Sequence, residues 1–264
     1  MEALIACEHV TKVYPPRSLE DRARGFKAVD GVSLSIEQGS SFGLVGESGS
    51  GKTTLAKAIM YLDPPTSGSV KYRSIDLASL RARSLRAERR HMQIVFQDPH
   101  SSLDPRMRVR DSISEGLINL GVPRAEREKR VDRLLDLVGM SASAASRYPH
   151  EFSTGQRQRI VIARALTMEP DFLVLDEPVS NLDVSIQAQV INLLEDIKRE
   201  LGLTYLFISH DINLVAYMCD NIAVMYKGKI VEQAPTARLL SSPQNEYTAT
   251  LLSATPGGAP SLTR

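Results

Sequence analysis

Residues 46–53 read Gly-Glu-Ser-Gly-Ser-Gly-Lys-Thr. The string matches G-x-x-x-x-G-K-[ST], a glycine-rich loop that cradles phosphate. It constrains the fold because such a loop works only between a buried strand and a helix. Both flanks fit. Phe42-Gly43-Leu44-Val45 is an apolar run that predicts a short buried strand, and Thr54-Leu55-Ala56-Lys57-Ala58-Ile59 predicts a helix. Gly46, Gly49 and Gly51 let the backbone curl so that successive N–H groups face phosphate oxygens. The helix N-terminus adds partial positive charge. Lys52 is placed to reach the β- and γ-phosphates and Thr53 to ligate Mg²⁺.

A second apolar run, residues 171–175, ends at Asp176-Glu177-Pro178. Parallel α/β sheets present ligand groups at the carboxyl ends of their strands. Asp176 is there the candidate Mg²⁺ holder, through water. Glu177, one residue further, is the candidate general base for an attacking water. Alone, Asp-Glu after a strand reads as a helix N-cap. Combined with the loop at 46–53, the catalytic reading takes precedence.

The rest of the chain supports an α/β fold of P-loop NTPase type. Strand-like segments at 4–10, 32–36 and 70–72 predict a small antiparallel layer. Between 109 and 166 no strand is legible, and 109–119, 124–138 and 155–166 show helical periodicity, which predicts an inserted all-helical subdomain. Strand and helix then alternate over 185–200, 204–208 and 212–218, the pattern of a parallel sheet with covering helices. Residues 222–226 and 229–232 flank Lys227-Gly228, a hairpin signal. The segment between Tyr14 and Lys27 is rich in proline and charge and predicts an exposed loop, and Gly257-Gly258-Ala259-Pro260 opens a tail expected to be disordered. The expected organisation is one domain, 1–264, with a core at 1–97 and 167–235, the helical subdomain at 98–166 and a tail at 236–264.

Composition narrows the partners. A net charge of +1 gives no electrostatic footprint for nucleic acid. Cys7 and Cys219 lie far apart and form no metal spacing. No stretch reaches the about 20 apolar residues of a membrane-spanning helix, and the N-terminus lacks a signal-peptide pattern. Five arginines between Arg81 and Arg90 read as a solvated helix face, with partner or acidic-lipid contact as the alternative. Arg106, Arg108 and Arg110 are better placed to meet a partner.

With these residues in hand, the chain resembles the ATP-binding-cassette (ABC) ATPases. Phe152-Ser153-Thr154-Gly155-Gln156 is similar to the family's signature loop, usually Leu-Ser-Gly-Gly-Gln. Tyr14 stands where an aromatic stacks on adenine, Gln97 matches the Q-loop glutamine, Ser180-Asn181-Leu182-Asp183 the D-loop, and His210 the switch histidine. Singly these stations are weak: Tyr14 also reads as an edge-strand aromatic, His210 as a core histidine and Gln97 as a surface residue. Their order across residues 4–235 is hard to obtain by chance. Gln97-Asp98-Pro99 with Ser101-Ser102-Leu103-Asp104-Pro105-Arg106, and the run from Asp176 to Gln189, resemble the dipeptide, oligopeptide and nickel importer branch.

The resemblance implies a RecA-like core and a site shared between two subunits. ATP would be bound by Tyr14, Gly46, Glu47, Ser48, Gly49, Ser50, Gly51, Lys52, Thr53, Thr54 and Gln97, with Mg²⁺ held by Thr53, Gln97 and Asp176. Lys52, Glu177 and His210 would carry the chemistry. Ser153, Thr154, Gly155, Gln156 and Asp183 would meet the partner's nucleotide in trans. The implied partners are a second ABC ATPase subunit, two integral membrane permease subunits and, indirectly, an extracytoplasmic solute-binding protein, with the chain peripheral on the cytoplasmic face of the inner membrane. Peptides or a similar small solute would be the cargo. The alternatives are a phosphonate-degradation accessory or other soluble ABC protein, and a P-loop small-molecule kinase. The kinase would not need residues 152–156 or 180–183. Thr154 departs from the family glycine; a Gly-only backbone there would leave the loop strained.

Overall fold

A computed structural model describes residues 3–15 and 25–253. They form two compact units, one from Met1–Arg89 and Thr204–Arg264, the other Arg90–Leu203. The expected loop between Tyr14 and Lys27 falls largely outside the described residues, and the expected tail at 257–260 wholly so.

In chain order the first unit contributes β1 (Ala3–Tyr14), β2 (Phe26–Glu37), β3 (Ser41–Val45), α1 (Lys52–Ile59), β4 (Ser67–Tyr72), β5 (Ile75–Asp76) and α2 (Ala82–Glu88). The second unit holds β6 (Met92–Val95), α3 (Pro99–Ser102), α4 (Val109–Asn119), α5 (Arg124–Leu137), α6 (Thr154–Leu166), β7 (Phe172–Asp176) and α7 (Val184–Leu201). The chain returns to the first unit with β8 (Thr204–Ser209), α8 (Ile212–Met218), β9 (Asn221–Tyr226), β10 (Lys229–Pro235), α9 (Thr236–Ser241) and α10 (Glu246–Ser253).

In the first unit β1 pairs antiparallel with both β2 and β4, and β5 lies outside β4. Strand β2 shows why this layer is one-sided: Val32, Leu34 and Ile36 are buried, whereas Ser33, Ser35 and Glu37 are exposed. That alternation is the period of a half-covered strand. The pairing runs from Ala3 opposite Glu37 to Tyr14 opposite Phe26, which delivers Tyr14 to the strand end. A second set of strands is built around β3, parallel to β8 on one side and β9 on the other. Every residue of β3 and β8 is buried, as expected of parallel strands covered on both faces. Their carboxyl ends lead into the glycine-rich loop and to His210. The predicted hairpin is present as antiparallel β9 and β10.

In the second unit β6 runs parallel to β7. Helix α4 buries Val109, Ile113 and Leu117, and α5 buries Val131, Leu134 and Leu135, at helical spacings. Each such side chain contributes about 1.5–3 kcal/mol when fully buried. Helix α7 carries Val190, Ile191, Leu194 and Ile197 inward and stops at Gly202, whose φ of 66° ends the helix in the left-handed conformation. Helix α2 buries none of its residues, as a solvated face requires.

Candidate functional site

The first unit assembles the phosphate loop. Gly51, at φ 108°, precedes the first helical residue, Lys52. A Cβ there would lie 2.2 Å from the Ala28 carbonyl oxygen, so the loop can pass β2 only as glycine. Lys52 is buried and its Nζ donates to the carbonyl oxygens of Gly46 and Glu47, at 2.7 and 2.8 Å. The ammonium is thus held inside the curl of the loop. Thr53 is exposed at the start of α1, and Ser50 Oγ is buried without a partner among the described residues. A closely packed glycine, an enclosed ammonium and an orphaned hydroxyl fit a phosphate-binding cradle.

Tyr14 stands beside α1, the helix that follows this loop. Its hydroxyl donates to Asp63 Oδ2 at 2.6 Å, and Lys12 pairs with the other carboxylate oxygen. Hydrogen bonding from Lys12, then from Tyr14, holds the Asp63 carboxyl below its ordinary range. The Asp63 contact, followed by burial, pushes the Tyr14 phenol up, while the Thr54 hydroxyl bonds to it in the opposite sense. The ring is therefore fixed against the helix that follows the loop. Asp63 is a positioning residue that the sequence did not single out; only its place a few residues beyond α1 could have drawn attention to it. His210 follows β8 and is exposed.

The second unit assembles the carboxylates. Asp176 is the buried last residue of β7. Glu177 follows at φ 50°, a left-handed conformation unusual for a residue with a side chain. Gln97 Nε2 donates to Glu177 Oε2 at 3.1 Å and to Ser180 Oγ at 3.3 Å. The Q-loop glutamine, the candidate base and the first D-loop residue therefore meet directly. Gln187 Nε2 ties the D-loop down by donating to the Val179 and Leu182 carbonyls, both at 3.0 Å. Sequence reasoning missed Gln187 because its partners are backbone atoms that no motif marks. Asp183 caps α7 through its backbone, its carbonyl accepting from Gln187 N–H at 2.8 Å.

The signature segment opens α6. Ser153 is the N-cap: its hydroxyl accepts from Gln156 N–H at 3.3 Å, while Gln156 Oε1 accepts from Ser153 N–H at 3.1 Å. Thr154 is the first helical residue and is not among the positive-φ residues. Its backbone needs no glycine, so threonine fits without strain. Gly155 is the position that needs glycine, since a Cβ would lie 2.5 Å from Ile186 Cγ2 on α7. Arg157 donates to the Pro149 carbonyl and Arg159 to that of Val138, which gives both a structural use. Arg108 and Arg110 likewise bond to the carbonyls of Ser146 and Ala145, whereas Arg106 pairs with Asp104.

A strand–loop–helix phosphate cradle, a carboxylate pair after a parallel strand and a capped signature helix together define an ATP-binding cassette. The ABC transporter family model matches residues 29–180, more than half of the chain, and the chain belongs to that family. Among curated relatives, the oligopeptide transport ATP-binding protein OppF of Bacillus subtilis is 51% identical over 233 residues, covering 87% of this chain and 76% of the relative. OppF of Streptococcus mutans is 50% identical over 245 residues, 92% of this chain and 80% of the relative. Among solved structures, cbiO1 of Clostridium perfringens, part of an ABC transporter complex, aligns at TM-score 0.80 with 30% identity and 92% coverage of each chain. A dimeric cassette in a post-hydrolysis state, bound to ADP and Pi, aligns at TM-score 0.75 with 29% identity over 88% of this chain and 98% of that one. The chain is accordingly an ATP-binding, ATP-hydrolysing cassette of transporter type. Among the described residues no helix is long and apolar enough to cross a membrane.

Proposed function

We propose that the chain powers an ABC importer of peptides, as one of two cassettes docked to membrane-embedded permease subunits at the cytoplasmic face. The observation that carries this reading is the half-identity to oligopeptide transport ATP-binding proteins across about nine-tenths of the chain, which includes both arms of the site.

In this reading Lys52 turns from the Gly46 and Glu47 carbonyls to the β- and γ-phosphates, and the loop N–H groups take the remaining oxygens. Tyr14 stacks on adenine. Thr53, Gln97 and Asp176 are the residues that would hold Mg²⁺, which would supply charge neutralisation for the phosphates. Glu177 accepts the proton of the attacking water, and His210 holds the γ-phosphate side. The Ser153 hydroxyl and the first N–H groups of α6 touch the γ-phosphate bound by the partner cassette, with Thr154, Gly155, Gln156 and Asp183 lining that face. Loss of the γ-phosphate removes this contact and lets the pair reopen.

Gln97 is the link outward. Close to it in sequence, a cleft of about 580 Å³ in the second unit is lined by Gln93, Phe96, Asn119 and Met168, among others. It offers a half-apolar seat for a permease segment. The deciding experiment is affinity purification of the tagged chain from membranes, followed by ATPase assay of the reconstituted assembly. Two integral membrane proteins and peptide-stimulated turnover are expected. Recovery without membrane subunits would overturn the transport reading.

A further inference from the structure

The phosphate loop is held by a part of the chain far away in sequence. Glu47 N–H, in the loop, donates to the Tyr247 hydroxyl in α10 at 3.2 Å. The other side of the same residue is held too, since the Glu47 carbonyl accepts from Lys52 Nζ at 2.8 Å. Tyr247 is itself fixed. Its ring packs on Tyr226, at the end of β9, with centroids 4.3 Å apart. Asn245 Oδ1 accepts from Tyr247 N–H at 2.9 Å, and the Glu232 carboxylate on β10 accepts from the Gln244 and Asn245 N–H groups at 2.8 and 3.0 Å. Next to Tyr226 in the hairpin, Gly228 N–H donates to the Ser50 carbonyl at 2.9 Å. The β9–β10 hairpin and α10 thus grip the loop at Glu47 and at Ser50.

We infer that Tyr247 is a positioning residue for nucleotide binding, its hydroxyl keeping the phosphate loop curled once Lys52 has left the Glu47 carbonyl for the phosphates. Both groups hold the Glu47 backbone in the structure. When Lys52 engages phosphate, only the Tyr247 contact of these two remains. Burial raises the Tyr247 phenol above its ordinary range. The role belongs to ground-state nucleotide binding and leaves the chemical step alone.

This inference rests on ATP being the ligand of the loop. Tyr247→Phe keeps the ring on Tyr226 and removes only the oxygen. Fluorescent-ATP titration, steady-state ATPase kinetics and amide hydrogen exchange at Glu47 are measured on the wild-type chain and this variant. A lost hydrogen bond is expected to weaken binding and raise KM about five- to tenfold. Unchanged kcat, an unchanged melting temperature and faster exchange at Glu47 should accompany it. Equal affinity in the two proteins, or a fall in kcat at constant KM, would overturn the role of Tyr247 and leave the ATP site standing. Failure of the wild-type chain to bind ATP would overturn both.

Discussion

Gln97 Nε2 lies 3.1 Å from Glu177 Oε2 and donates a hydrogen bond to it. The Q-loop amide therefore holds the carboxylate proposed to act on water, and a movement of residue 97 reaches that candidate base with no intermediary. The left-handed backbone of Glu177 adds to this, because a conformation costing of order 1–3 kcal/mol persists only where its surroundings enforce it.

Glu177→Gln preserves the size of the side chain and removes its basicity. ATP binding is expected to stay near wild type, while turnover falls at least about 10²-fold, the contribution of a positioned base. Coupled-enzyme ATPase assay checks the rate and gel filtration with Mg-ATP the trapped closed pair. Near-normal turnover would remove Glu177 from the base role.

Lys52 is enclosed by its own loop and makes two short bonds to carbonyls. Lys52→Ala removes the cation proposed to exchange them for phosphate contacts. At about 1.5–3 kcal/mol per charge-assisted bond, ATP affinity should fall about 10- to 100-fold and hydrolysis should vanish. Isothermal titration with a non-hydrolysable analogue measures the first and phosphate release the second.

The two residues that begin α6 are expected to behave oppositely. Thr154 has an ordinary backbone, so Thr154→Gly should change turnover by less than about twofold. A clear rise would show that the threonine strains the loop after all. Gly155→Ala forces a methyl toward Ile186 and should cost about 1–3 kcal/mol of stability. Adding Ile186→Ala should recover much of that loss, which a double-mutant cycle in urea would show.

Cys7 and Cys219 are both buried. Burial pushes the Cys7 thiol from 9.0 up to about 12. Between pH 9 and pH 12 the unfolded chain gives up this proton and the folded chain keeps it. Stability due to the neutral thiol is therefore complete below pH 9 and declines as pH rises through that window. Alkaline melting curves should show a shallower decline in Cys7→Ala than in wild type. Neither thiol of the folded protein should react with a thiol-specific reagent at pH 8.

Much of this was legible in the sequence because the site is carried by contiguous strings. Strands β3, β7 and β8 are short apolar runs, α4 and α8 fall on the expected residues, and the hairpin is announced by Lys227-Gly228. Strand β6 was not legible: Met92-Gln93-Ile94-Val95 is only four residues long, follows Arg89-Arg90-His91 and is half-exposed at its two central positions. Helix α1 begins two residues before the expected start, because Lys52 and Thr53 already turn with it. The ties of Asp63 to Tyr14, Gln187 to the D-loop and Tyr247 to Glu47 join residues without shared periodicity or motif, several of them through backbone atoms. Only the folded chain brings them together.

In the proposed function ATP is closed between two cassettes, each supplying half of the machinery. Its most direct test is nucleotide occlusion. The Glu177→Gln chain, with the second cassette it co-purifies with or with another copy of itself, is incubated with Mg-ATP and passed through a desalting column and light scattering. A dimer retaining two ATP molecules, lost when Ser153 is replaced by a bulky residue, is the expected result. Nucleotide held by a single cassette, or none retained in any pairing, would contradict it.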